Sequence, residues 1–520
     1  MTRRLGALGV CLTLAGCGKD GDSSGDSAAE PIMCDATTVT MTGEWEKDDL
    51  PELAYVSHTP AGVALGDLDG DGWMDGILAF GGGGMALRND GTGTLGLEPD
   101  WGTDDGPLPP ATAVALADLD DDGDLDAYLG RDREEYDLIL KNDGTGHFTS
   151  TPLPDSQGAG STGAFADFDG DGDLDLFVAR TTTDTEIKVV KGGIVGDGCQ
   201  LFLQQDDGTF ADATERLPSD FLYGWTFQAS PIDADGDGDL DLYFANDFGN
   251  WLIPNALLLN DGNANFSEAT DCFCDLAMFG MGAGVGDANA DGWPDLYISD
   301  VGGPNLLIND GTGAFYDATE ALGAAIPPAE DSLTSWGIAF VDLDQDTYED
   351  LAVTFGQLGQ PDTIDAIDDG AGWVDGEEQP DQLLFGGPNG FAYEDVGWND
   401  PSRTRAVAVG DLDQDGRPDL VTAGKYFLRT WHTDGGCEPG IQVRLDGGGR
   451  NHAGIGARVT LEADGRTFTK WMLPSTTGSA SATELYFGLP GDSGDLTVTW
   501  PDGEETVVRD VPRGPVEITR

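Results

Sequence analysis

A nine-residue acidic segment occurs seven times along the chain: DLDGDGWMD from Asp67, DLDDDGDLD from Asp118, DFDGDGDLD from Asp167, DADGDGDLD from Asp233, DANADGWPD from Asp287, DLDQDTYED from Asp342 and DLDQDGRPD from Asp411. Like charges crowded into one turn repel unless a cation sits among them. Carboxylates at alternating positions, with a glycine at position 6 for a sharp bend, suit calcium, which takes about six to eight oxygen ligands at roughly 2.3–2.6 Å. The side-chain ligands would be position 1 (Asp67, Asp118, Asp167, Asp233, Asp287, Asp342, Asp411), position 3 (Asp69, Asp120, Asp169, Asp235, Asn289, Asp344, Asp413), position 5 (Asp71, Asp122, Asp171, Asp237, Asp291, Asp346, Asp415) and position 9 (Asp75, Asp126, Asp175, Asp241, Asp295, Asp350, Asp419). Position 7 would add its main-chain carbonyl (Trp73, Asp124, Asp173, Asp239, Trp293, Tyr348, Arg417). A single loop of this kind can also be read as a solvated acidic turn, the lesser of the two readings; seven copies cannot. Asn289 keeps an oxygen ligand, whereas Thr347 replaces the turn glycine and makes the sixth loop the weakest of the set.

The flanks identify the architecture. A helix–loop–helix calcium site ends in a bidentate glutamate at position 12; here that position holds Leu78, Leu129, Val178, Phe244, Ile298, Val353 or Thr422. The runs entering and leaving the loops, such as GVALGDL and LDLYFAN, are short, apolar and rich in β-formers, so each loop joins two strands. Asn-Asp-Gly turns recur downstream, as in RNDGTGTL from Arg88, KNDGTGHF from Lys141, LNDGNANF from Leu259 and INDGTGAF from Ile308, with looser copies from Gln204 and Phe385. They predict a second hairpin. A following Asp-Ala-Thr (Asp212–Thr214, Asp317–Thr319; Glu-Ala-Thr at Glu268–Thr270) marks a fourth strand. Units of roughly 40–50 residues with four strands are propeller blades. The reading is all-β: a seven-bladed β-propeller with calcium-binding hairpin loops, then a small C-terminal β-domain. The CDATT segment at Cys34–Thr38 lacks a blade before it and the seventh unit lacks such a motif after it, so the N-terminal segment should complete the last blade and remove two sheet edges.

With 96 acidic against 25 basic residues the formal net charge is −71. Seven calcium ions would add about 14 positive charges, so stability should follow divalent ions and ionic strength. No basic patch exists to neutralise phosphates, which excludes nucleic acid as a partner. The opening MTRRLGALGVCLTLAGC has Arg3 and Arg4, an apolar run and Leu14–Cys17. It reads as a signal peptide over 1–16 with Cys17 as a bacterial lipobox cysteine, followed by a flexible tether over 17–31. Gly18 after the cysteine favours the outer membrane or cell surface, with the lipid as the only membrane contact. Beyond the leader, Cys34, Cys199, Cys272, Cys274 and Cys437 remain, an odd number. Ring closure makes Cys34–Cys437 the first candidate disulfide; Cys272 and Cys274 could pair with each other or with Cys199.

The segment GVALGDLDGDGWMDGILAF with LRNDGTG resembles the FG-GAP/VCBS repeats of integrin-α-like propellers. In the C-terminal region NHAGIGARVTL from Asn451, ELYFGLP from Glu484 and LTVTWPDGEE from Leu496 resemble the ASPIC/UnbV domain. Together they are similar to the cartilage acidic protein family in a bacterial lipoprotein version. The resemblance implies a propeller over 32–438 and an ASPIC/UnbV-like β-domain over 439–520. The expected function is a calcium-binding, envelope-anchored adhesion or ligand-binding module for protein or glycan. Alternatives are a calcium-dependent carbohydrate-active or other extracytoplasmic enzyme, or a maturation factor for exported proteins. No catalytic residue is assigned: His58, His147, His432 and His452 are scattered and lie in no nucleophile motif. The longer intervals at 181–199 and 356–381 are candidate ligand loops, with Trp373 in the second. Trp225 and Trp336, in strands ahead of calcium loops, read as core; Trp251 is a further candidate for stacking on a sugar ring.

Overall fold

The computed structural model describes residues 39–45, 62–80, 83–131, 135–181, 196–326, 333–356, 379–398, 401–424, 427–473 and 484–520. All belong to the unit Met33–Arg520. Each acidic segment joins two antiparallel strands. In the fourth unit Trp225–Ile232 runs into the loop and Asp241–Asp247 leaves it, then Ala256–Asn260 and Phe266–Glu268 complete a meander of four strands. Equivalent four-stranded meanders form on the first, second, third, fifth and sixth units, and the seventh supplies three consecutive strands of its four-stranded sheet. The second extends its outer edge with two short strands, Gly102–Thr103 and Gly106–Pro107.

The innermost strand of each blade packs on that of the next, and the seventh packs back on the first. The ring closes by strand pairing out of sequence order. Thr40–Trp45 pairs antiparallel with Phe427–Asp434, from Thr40 opposite Asp434 to Trp45 opposite Arg429, and supplies the seventh blade's outer strand. The N-terminal segment thus completes the last blade, with the strand lying just beyond the CDATT motif; that motif itself is outside the described residues. Val39, Met41, Trp398 and Trp431 are buried together at this seam.

A polar tie repeats between blades. The asparagine of the Asn-Asp-Gly turn sends its side-chain amide to the position-2 carbonyl of the preceding blade's acidic loop: Asn142 to Leu68 (2.9 Å), Asn260 to Phe168 (2.8 Å) and Asn309 to Ala234 (2.8 Å), with Gln204 to Leu119 (2.7 Å) in the third blade. Asn89 makes the same bond to Leu412 (3.0 Å) across the closing seam. Gly386 and Thr433 stand at this place in the sixth and seventh blades and carry no such amide.

The C-terminal region forms two sheets. Ile441–Asp446 lies between Leu485–Phe487 and Gly514–Thr519, and Arg458–Ala463 and Ser493–Thr499 lie between Arg466–Trp471 and Glu505–Pro512. Alternating side chains Val459, Leu461, Leu496 and Val498 face a common core with Trp500 and Ile518.

Candidate metal centres

Every acidic loop is built on one hydrogen-bond plan. Position 1 accepts from two backbone N–H groups within the turn: Asp67 takes Gly70 and Gly72 (2.8 and 2.9 Å), and Asp167 takes Gly170 and Gly172 (2.8 and 3.0 Å). Position 5 accepts the N–H of position 7, as from Trp73 to Asp71 (3.0 Å) and from Asp239 to Asp237 (3.0 Å). These bonds turn the carboxylates inward. Positions 4 and 6 take the left-handed conformation, as at Gly236 and Gly238 (φ 76 and 96). Thr347 occupies it too (φ 91), and its N–H reaches Asp342 Oδ2 at 3.0 Å as the glycines do elsewhere. The sixth turn therefore closes like the others, with a β-branched residue held where glycine is favoured.

Position 9 has a second role that its spacing alone does not announce. Each of these aspartates is almost fully buried. One oxygen accepts the N–H of position 2 and the other the N–H at the end of the third strand: Asp241 binds Ala234 (3.0 Å) and Asn260 (2.8 Å), and Asp75 binds Leu68 (3.1 Å) and Asn89 (2.8 Å). The residue thus fastens the acidic loop to the second hairpin. Burial pushes its carboxyl up, to about 7 at Asp75, about 8 at Asp126, Asp175 and Asp241, and about 9 at Asp295.

Ligand oxygens of positions 1, 3 and 5 lie within 4.8 Å of one another in the first (Asp67, Asp69, Asp71), second (Asp118, Asp120, Asp122) and fourth (Asp233, Asp235, Asp237) loops. In the third loop Asp167, Asp169 and Asp175 converge in the same way, and in the seventh Asp413, Asp419 and His432 do. Oδ1 of Asp169 and Oδ1 of Asp235 are buried and accept no hydrogen bond. In the third and fourth loops an all-oxygen donor set with an orphaned buried oxygen fits a hard cation of calcium's size better than a smaller ion that demands octahedral geometry; the seventh cluster differs in including the His432 nitrogen.

A basic side chain reaches into three loops from the residue just before the downstream turn, an arginine, a lysine and a histidine. Arg88 contacts Asp69 and Asp71 (2.5 and 3.2 Å), Lys141 contacts Asp120 (3.0 Å), and His432 lies 3.2 Å from Asp419. The signal was present in RND, KND and WHTD but reads as part of the turn. His147 begins an outer strand, with Nε2 3.1 Å from Asp104. Trp225 and Trp336 are buried, in keeping with the core reading.

A family description of FG-GAP-like repeats matches residues 118–178, 233–298 and 287–353, and one of ASPIC and UnbV matches 447–515. The chain carries FG-GAP-like repeats and an ASPIC and UnbV domain. No curated protein matches it. Among solved structures it is similar to an Agrocybe aegerita lectin that recognises non-reducing terminal N-acetylglucosamine, at 16% identity over 74% of this chain and 88% of that one with a TM-score of 0.41. It is also similar to the rhamnogalacturonan lyase YesW (13% identity, 74% and 75% covered, TM-score 0.39) and to the V. cholerae biofilm matrix protein Bap1 (14%, 91% and 71%, TM-score 0.35).

The ASPIC and UnbV domain sits on the acidic loops. Its Gly488 N–H donates to Asp342 Oδ2 (2.7 Å), its Gly440 N–H to Gln345 Oε1 (2.9 Å), and Lys470 Nζ to Glu349 (2.9 Å). Tyr348 and Phe468 meet edge to face. Arg450 adds bonds to Asp173 (2.5 Å) and to the Gln205 and Asp206 carbonyls (3.1 and 2.7 Å) in the third blade, and Tyr486 Oη accepts the Asp411 N–H (2.8 Å) in the seventh. The sixth loop is consequently the most enclosed: Asp342, Asp344, Asp346 and Asp350 are 0–4% exposed. Burial opposes the charge on Lys470, but the Glu349 and Asp342 carboxylates outweigh it and hold its pKa up. The sequence showed this domain but not its docking place.

Of the cysteines, Cys272 and Cys274 are bonded to each other and Cys199 is buried and free. Cys437 is in a disulfide. Cys34 and Cys17, the 181–199 interval between 182 and 195, and Trp373 lie outside the described residues. No helix among the described residues is long and apolar enough to cross a membrane.

Proposed function

We propose that this chain is a calcium-stabilised binding protein of the cell envelope, lipid-anchored through Cys17, whose propeller presents a ligand face for protein or glycan. The observation that carries the reading is the repeated loop in which inward carboxylates at positions 1, 3 and 5 converge, with orphaned oxygens on Asp169 and Asp235. Calcium would be held there by those carboxylates and the carbonyl of position 7, supplying the positive charge each hairpin lacks. Position 9 would hold the loop to the next hairpin.

The faces of the ring have different duties under this reading. The acidic loops carry the ASPIC and UnbV domain on one side. Ligand binding then belongs to the opposite side, where strands begin rather than enter the loops, and the role is binding rather than catalysis.

The test is calcium-dependent capture. The immobilised full chain, in millimolar calcium or in EDTA, is presented with a glycan array and with detergent-solubilised envelope protein from its own host. Saturable binding in calcium that EDTA abolishes is the expected result; equal binding in both, with no metal by elemental analysis, overturns the calcium reading. For the anchor, Cys17→Ser should move the protein from the membrane to the soluble fraction or leave the precursor unprocessed. Wild-type fractionation and maturation of that variant overturn the lipid assignment.

A further inference from the structure

Aromatic side chains gather at the end of the fourth blade remote from its acidic loop. Trp225 opens the inner strand and faces Asp247, which closes the neighbouring strand. The Phe248 ring lies 5.0 Å from Trp225, 6.0 Å from Trp251 and 5.7 Å from Phe279, and Trp251 and Phe279 are 5.5 Å apart. Phe248 is held at φ 57, a strained setting for a bulky residue that persists only where the surroundings impose it. Trp251 is 45% exposed, so the cluster is open to solvent on one side.

The polar groups around it are incompletely used. Trp225 is 7% exposed, yet its indole N–H is buried and donates to nothing among the described residues. Asp247 accepts the Phe248 N–H (2.8 Å) on Oδ1. Asp300, from the fifth blade, accepts the Phe279 and Val301 N–H groups on Oδ1 (2.9 and 2.7 Å). In each carboxyl one oxygen is anchored to backbone, and no hydrogen bond to the second is seen among the described residues. Burial, with Asp300 nearby, pushes Asp247 up to about 8. When protonated it is a donor as well as an acceptor.

A ligand that suits this place needs an apolar face for the rings, an acceptor for the indole N–H and donors for the carboxyl oxygens. An alkylammonium ion answers the rings and carboxyls but leaves the indole N–H unmet. An aliphatic side chain answers only the rings. A pyranose answers all three, through its C–H face and its hydroxyls. We infer that Trp225, Phe248, Trp251 and Phe279, with Asp247 and Asp300, form a saccharide-binding site on the face away from the acidic loops. The inference rests on the reading of the propeller as a ligand-binding module and names the ligand class and the place.

The test is affinity electrophoresis of the full chain in calcium, in gels cast with a β-glucan, a galactomannan, a xylan or glycol chitin. At least one polymer should retard the protein. Trp251→Ala, at an exposed position, should weaken that retardation tenfold or more while melting stays near wild type; Trp225→Phe, which removes the N–H and keeps an aromatic ring, should weaken it equally while the chain still melts cooperatively, at a lower midpoint. Retardation by none of the four polymers overturns the site. So does retardation unchanged in both variants, which would leave the wider ligand-binding reading intact and move the sugar elsewhere. Quenching of tryptophan fluorescence by choline, with no response to any polymer, also overturns it and assigns a cation site. The calcium-dependent capture of envelope protein decides the wider reading independently of these outcomes.

Discussion

Two aspartates in one loop can do unlike work. Asp237 is exposed and turns inward on a single N–H, whereas Asp241 is buried and holds two backbone N–H groups from different hairpins. Orphaning a buried donor destabilises by about 1–3 kcal/mol. Asp241→Ala should therefore destabilise by roughly 2 kcal/mol or more even in EDTA, while Asp237→Ala should matter only when calcium is present. Urea melts of both variants with and without calcium check this; equal losses in EDTA would contradict the division of roles. Thr347 offers the opposite sign. Its φ of 91 strains a β-branched residue and its hydroxyl is buried without a partner. Thr347→Gly should raise stability by about 1 kcal/mol, read from the same melts. A lower midpoint would mean that the packing of its methyl group under the C-terminal domain outweighs the strain.

The hairpins were legible because their determinants are local. Alternation set by the acidic loop and the Asn-Asp-Gly turn is contained in a few consecutive residues, and so was the need for an outer strand from the N-terminus. Contacts between units left only faint marks. The amide of Asn260 spans to Phe168 in the preceding blade, yet in sequence it is one more turn asparagine with a sufficient local explanation. Trp225 and Trp336 were placed in the core correctly, but the partnerless indole of Trp225 and its proximity to Asp247 arise from folding distant strands together. Losing the blade tie should be measurable. Asn260→Ala removes bonds to Phe168 and Leu240 (2.8 and 3.2 Å) and should destabilise by about 1–3 kcal/mol. Asn263→Ala, at an exposed position in the same turn, should be near neutral. If the two variants melt alike, the tie contributes nothing to holding blades together.

Across the whole molecule the buried position-9 carboxyls set a pH dependence. Their folded values, from about 7 at Asp75 to about 9 at Asp295, lie above the unfolded aspartate value of about 4. A raised value means that the folded state holds protons the unfolded chain has released. This contribution is fully present below the unfolded pKa and is lost as pH rises through the folded ones. Metal-free protein should therefore melt higher at pH 5 than at pH 8. Under the proposed calcium reading the ion competes with those protons for the loops, so added calcium should stabilise most at pH 8 and shrink or reverse the gradient. A metal-free protein equally stable at both values would contradict the burial of these groups. The docked C-terminal domain belongs to the same scale. Lys470→Ala leaves Glu349 without its cationic partner and should increase proteolysis of that domain, followed by limited digestion in calcium; an unchanged digestion rate would show that Lys470 does not hold it. The closing strand adds a matter of timing. Thr40–Trp45 is synthesised before any blade, but its partner Phe427–Asp434 comes almost four hundred residues later. During synthesis the first strand must wait, unpaired, until nearly the whole ring has emerged. Early blades can form as they appear, but the circle locks only near the end, so the last step of folding joins the oldest strand to one of the newest. Premature release or truncation before residue 427 would leave an open ring with two exposed sheet edges.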